Sequence, residues 1–155
     1  MPPTDSELVI SVGVPALLCF IVAIADGDTL TARCEVQGEV QTIVVRLSQI
    51  DAPEKRQPWG ERSRQHLAAS CFKKSATVRE ETRDRYRRMV ARVECEGVDA
   101  NAEQVRAGMA WVFDRYVTDR SLYVLQAEAQ EARRGLWHDA YPVPPWQWRL
   151  SKRSH

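Results

Sequence analysis

Three short segments hold the residues whose types and spacing suit one kind of chemistry: ADGDT at 25–29, VRLSQIDAPE at 45–54 and DRYRR at 84–88. Asp28 and Asp51 each stand at the end of an extended run, where two carboxylates converging from different strands would hold a hard cation. Arg46 and Arg88 suit a phosphate, because the planar guanidinium fork donates paired hydrogen bonds and stays charged at any working pH. Glu54 is a further carboxylate, free to take a proton from water. Together these are the parts needed to hydrolyse a phosphodiester.

The elements that would position these groups follow from periodicity. Ile43, Val45 and Leu47 alternate with Val44, Arg46 and Ser48, the period-two pattern of a half-buried strand, so Arg46 is expected to be presented on the opposite face. After Ile50 the chain must turn, since Pro53 fixes its own φ, lacks an N–H and disfavours helix at Ala52. Residues 20–25 and 29–34 read as a hairpin around Asp26-Gly27-Asp28, with Gly27 supplying a positive φ. Taken alone that turn is only a turn; Asp28 gains interest because Asp51 also ends a strand. Strands are further expected at 42–50, 76–82 and 89–96. Helices are expected at 60–74, at 101–107 with Asn101 as N-cap and Gly108 as stop, and from Asp119 or Ser121 to Gly135. The order βββαββαα predicts an α+β, mainly β fold: a five-stranded OB-fold Greek-key barrel with three helices.

At 155 residues, 44% apolar and with five Trp, the chain has material for one well-packed domain. Its formal net charge of +1 does not make it a polycation. Basic residues cluster locally, with eight Lys or Arg against three acids over 73–92; such a run is either a solvated strand and loop or a phosphate-facing patch. Cysteines at 19, 34, 71 and 95 contain no CxxC, and His66, His138 and His155 show no ligand spacing, which argues against a zinc site. The hairpin would set Cys19 nearly opposite Cys34, and the helix ending near Cys71 could pack over the strand of Cys95, so two disulfides are possible; buried thiols are the alternative. Residues 1–18 form an apolar arm or leader without the positive region of an export signal, and Pro15 interrupts a run too short to span a bilayer. The domain proper is expected over 19–140. The tail 141–155, with three prolines and two tryptophans, is expected to be non-helical, its Trp packing back on the domain.

These motifs, with the helix NAEQVRAGMA at 101–110, resemble the staphylococcal-nuclease-like (thermonuclease) family in order and spacing over about residues 20–137. The resemblance implies an OB barrel and calcium-dependent hydrolysis of DNA and/or RNA. By position it implies Asp28, Asp51 and the Ala52 carbonyl as Ca2+ ligands, Glu54 as the base, and Arg46 and Arg88 as phosphate ligands. Arg85, Tyr86 and Tyr116 are similar to residues of the family's substrate groove, with Asp26 and Thr29 in support. Two positions depart from the pattern: Arg87 stands where the family usually has Gly, and Asp114 replaces a second groove aromatic. The resemblance and the cysteines together imply a secreted or periplasmic monomer. The alternative weighed is a non-catalytic OB-fold module that binds nucleic acid.

Overall fold

The computed structural model describes residues 15–153. Residues 1–14 of the arm expected over 1–18, and residues 154–155, lie outside the described residues. Strands β1 (Leu17–Asp26), β2 (Thr29–Val36) and β3 (Glu39–Leu47) form an antiparallel meander. After the two-residue strand β4 (Ile50–Asp51) comes helix α1 (Gly60–Cys71), then β5 (Ser75–Arg83) and β6 (Met89–Cys95). β5 pairs with β1, β6 pairs with β5, and β6 also lies parallel to β3 with Arg46 beside Val90, closing a five-stranded barrel. Inward positions carry Ile21, Leu30, Ala32, Val45, Leu47, Val78, Ala91 and Val93, all fully buried, as strand alternation requires.

A short strand β7 (Val98–Asp99) leads into α2 (Ala100–Arg106). Asp99, not Asn101, caps this helix, accepting from Ala102 N at 3.0 Å. Asn101 is buried instead, accepting from Val93 N and donating to the carbonyls of Ser48 and Ala91, so it ties α2 to β6 and to the turn after β3. Strand β8 (Trp111–Val112) pairs with β4, and α3 (Ser121–Ala132) and a 3-10 turn (Gly135–His138) follow. Gly108 and Gly135 both have positive φ and lie back to back: a Cβ on Gly108 would strike the Arg134 carbonyl, and one on Gly135 the Gly108 carbonyl.

The tail corrects the expectation of an irregular end. Pro145–Arg153 is a helix, α4, whose first turn is fixed by Gln147 N and Trp148 N donating to the Pro144 carbonyl. Proline is tolerated at the first helical position, where no N–H is needed; Pro145 opens this helix and does not prevent it. Trp146 does pack back, stacking on Phe113 with centroids 5.5 Å apart and rings 3° from parallel, and meeting Trp111 edge-on at 5.7 Å. α4 is the fourth α-helix among the described residues, one more than expected.

Both disulfides form: Cys19 with Cys34, which are register partners across β1 and β2, and Cys71 at the end of α1 with Cys95 at the end of β6. Among the described residues no helix is long and apolar enough to cross a membrane.

Candidate active site

One end of the barrel gathers the turn between β1 and β2, the end of β3, and the segment from β4 to α1. The 26–28 turn is tight for a reason other than φ. Gly27 does not adopt the left-handed region; a Cβ there would lie 1.8 Å from Ser63 Oγ on α1 and 3.0 Å from the Ala52 Cβ. Its carbonyl accepts from Gln104 Nε2 of α2 at 2.7 Å. Close packing against α1 and Ala52, not turn conformation, demands glycine here.

The turn delivers a buried Asp28. Thr29 Oγ1 donates to its Oδ1 at 2.9 Å and Ala52 N to its Oδ2 at 2.8 Å, joining the first motif to the second. Arg46 stands opposite the inward residues of β3 but is largely covered, its side chain only 14% exposed. It donates to the carbonyls of Leu47 and Ile50 at 2.7 and 3.0 Å and reaches Asp28 at 3.5 Å and Asp51 at 3.3 Å. One guanidinium therefore spans both carboxylates, and the arginine expected to be presented is folded into the site. Asp51, on β4, has its side chain 1% exposed. Burial pushes its carboxyl above the usual range, and hydrogen bonding from Arg149 pulls the other way. Asp26 is also raised, first by burial and then by the charges of Asp28 and Glu54. Acidic groups are crowded here.

Glu54 lies on the loop before α1. Its backbone N–H donates to Gln57 Oε1, Gln57 N donates back to the Glu54 carbonyl, and that carbonyl occupies the place a Cβ at Gly60 would take. Gln57 Nε2 donates in turn to Val143 O of the tail at 2.6 Å. The remaining partner of this loop was not found from the sequence: Arg149 of α4. Its Nη2 donates to Asp51 Oδ2 at 2.7 Å, while Nη1 donates to Glu54 Oε2 at 3.0 Å and to Asp51 Oδ1 at 3.3 Å. Against the cost of partial burial, Asp51 and Glu54 hold this guanidinium still more firmly protonated. A usable signal was present, since Trp146, Arg149, Leu150 and Arg153 fall at i, i+3, i+4 and i+7, one helical face.

The other site candidates lie nearby without joining this cluster. Arg88 immediately precedes β6, which runs beside β3, but its Nε donates to Asp84 Oδ2 at 2.7 Å. Asp84 also accepts from the backbone N–H of Tyr86 and Arg88 at 2.9 Å each, closing the loop between β5 and β6. Despite some burial, those hydrogen bonds keep the Asp84 carboxyl below its usual range. Arg87 takes φ 65°, so the conformation for which glycine is suited is kept with a side chain present. Tyr86 is 67% exposed with the Arg85 guanidinium 5.2 Å from its ring centroid. Tyr116 meets Phe113 edge-on at 4.9 Å, and Asp114 accepts a hydrogen bond from the Tyr123 hydroxyl. Phe113, Tyr116, Trp146, Arg149 and Arg153 line an open cleft of about 390 Å³.

Comparison with known proteins supplies the lineage. The model of the family described as "Staphylococcal nuclease homologue" matches residues 44–139. An "Uncharacterized endonuclease" of Escherichia coli O157:H7 is 45% identical over 133 residues, covering 85% of this chain and 84% of its own. A "Micrococcal nuclease" of Shigella flexneri is 38% identical over 163 residues, covering 96% and 91%. A staphylococcal-like nuclease of Arabidopsis thaliana is 35% identical over 110 residues, 71% of this chain and 34% of that protein. With the two bacterial relatives similar over most of their length, and with the DGDT and RLxxIDAPE motifs meeting at one end of a closed barrel, the chain belongs to the staphylococcal nuclease family.

Proposed function

We infer that the protein is an endonuclease that hydrolyses phosphodiester bonds of DNA and/or RNA with calcium as its cofactor. The observation that carries this reading is the convergence of buried Asp28 and Asp51 on the single Arg46 guanidinium, with Glu54 at the site's edge. The donor set fits a hard, irregularly coordinated cation: two carboxylates and the Ala52 carbonyl offer oxygen only. Among the described residues no three His, Cys, Asp or Glu side chains form a metal cage. Two carboxylates and one carbonyl leave positions for water and substrate phosphate, which makes binding weak without substrate, and calcium is the cation that the family likeness implies.

Calcium bound there would supply positive charge beside the scissile phosphate. Glu54, 42% exposed, can reach solvent and takes the proton of the attacking water. Arg46 donates to the phosphoryl oxygens from a fixed position, so its charge needs no reorganisation as negative charge develops there. Arg88 would serve the same oxygens by exchanging Asp84 for phosphate. Arg85, Tyr86 and Tyr116 are exposed cations and rings suited to tracking a backbone and stacking bases without reading sequence. Thr29 keeps Asp28 in place through its hydroxyl, and Asp26 supports the turn as the register partner of Thr29.

Cleavage of plasmid and single-stranded DNA, with calcium or with a chelator, tests the reading. Cleavage that needs calcium and disappears in Asp28→Ala and Asp51→Ala, each still folded by circular dichroism, is the expected result. DNA retained on a filter yet left intact with calcium would make the chain a binding module.

A further inference from the structure

Arg149 is placed by neither of the chain's acidic motifs, yet it makes three hydrogen bonds to two of the three carboxylates on which the proposed chemistry depends, Asp51 and Glu54. Its position is built. Trp146 on the same face of α4 is stacked on Phe113, and the preceding segment is held by Gln57 at the Val143 carbonyl. The guanidinium takes both oxygens of Asp51, whose side chain is 1% exposed, and so occupies the coordinating face of a buried carboxylate from the solvent side. Arg46 meets Asp51 only through Oδ1, at 3.3 Å, and spends its shorter bonds on backbone carbonyls.

We propose that Arg149 is a resident counter-cation of the active site, which orients Asp51 and Glu54 in the free protein and competes with the divalent cation for Asp51. This rests on reading Asp28 and Asp51 as calcium ligands. A buried anion without a cation is costly, so a site that must be empty between turnovers needs a substitute charge. A cation entering at Asp51 requires the Asp51 bonds of Arg149 to open, while the bond to Glu54 can persist. Metal affinity is then set by the fraction of molecules in which Asp51 is released: if Arg149 holds Asp51 in nine molecules of ten, apparent affinity falls about ten-fold below the intrinsic value.

The test is calorimetric titration of calcium, without nucleic acid, into wild type, Arg149→Gln and Arg149→Lys, with the melting temperature of each recorded as calcium is added. Removal of the competitor should tighten calcium binding by roughly ten-fold in Arg149→Gln, with Arg149→Lys between the two because it keeps a charge but not the fork. A merely structural arginine predicts the reverse, since loosening Asp51 weakens a metal site. Calcium affinity unchanged or reduced in both variants overturns the proposal. If the wild type then still cleaves DNA with calcium, the nuclease reading stands and only the role of Arg149 falls. A protein in which neither wild type nor either variant binds calcium or cleaves overturns both.

Discussion

At the residue scale, the role proposed for Glu54 and the contact between Asp84 and Arg88 lead to separable predictions. Glu54→Gln keeps size and the hydrogen bond from Arg149 but removes the basic oxygen. Its single-turnover rate at saturating substrate should fall by roughly 10²- to 10⁴-fold while nucleic-acid affinity changes little. An unchanged rate would remove Glu54 from the mechanism. Asp84 acts through Arg88 and the loop backbone, and its pH dependence has a definite sign. A carboxyl held below its ordinary value stabilises the fold at any pH above the unfolded value, about 3.9, and that contribution is lost as pH falls through the folded value. Asp84→Asn should therefore lower stability by the same amount at pH 6 and pH 8, with the difference from wild type shrinking below about pH 4. Urea denaturation of both proteins across that range measures it.

At the scale of elements, what the sequence made legible were those carried by local pattern. The β3 strand showed itself through Val45 and Leu47, and α1 through Leu67 and Cys71, all of which are buried. Reasons that act across the fold were not legible. Gly27 has the sequence signature of a turn former, but α1 packs where its Cβ would be; Asn101 has that of a cap, but its amide bridges β6 and the turn after β3, far apart in sequence. In the tail, prolines that open α4 looked like breakers, and so Arg149 went unnoticed. The loop between β5 and β6 shows a local cost retained. A non-glycine residue in the left-handed region is strained by about 1 kcal/mol, part of which glycine would give back as unfolded-chain entropy. Arg87→Gly should accordingly raise stability by a few tenths to about 1 kcal/mol in urea denaturation, and a loss of stability would mean that the Arg87 side chain makes a compensating contact.

For the molecule as a whole, the two bridges and the acidic site sit at opposite ends of the barrel. Cys19 is near the start of β1 and Asp26 at its end, while Cys95 ends β6 and Arg88 precedes it. The bridges span sequence separations of 15 and 24 residues, so each should contribute about 3 kcal/mol by restricting the unfolded chain. Reduction should lower the denaturation midpoint markedly, yet leave the proposed calcium dependence of the surviving folded protein unaltered, since no bridge touches Asp28, Asp51 or Glu54. Comparing cleavage per folded molecule with and without reductant checks this. With all four cysteines paired, the native protein offers no thiol to a labelling reagent. A cysteine introduced at Leu150, 61% exposed and next to Arg149, would be the one reactive sulfur, and a spin label on it would report directly whether α4 stays docked or swings outward as calcium is added.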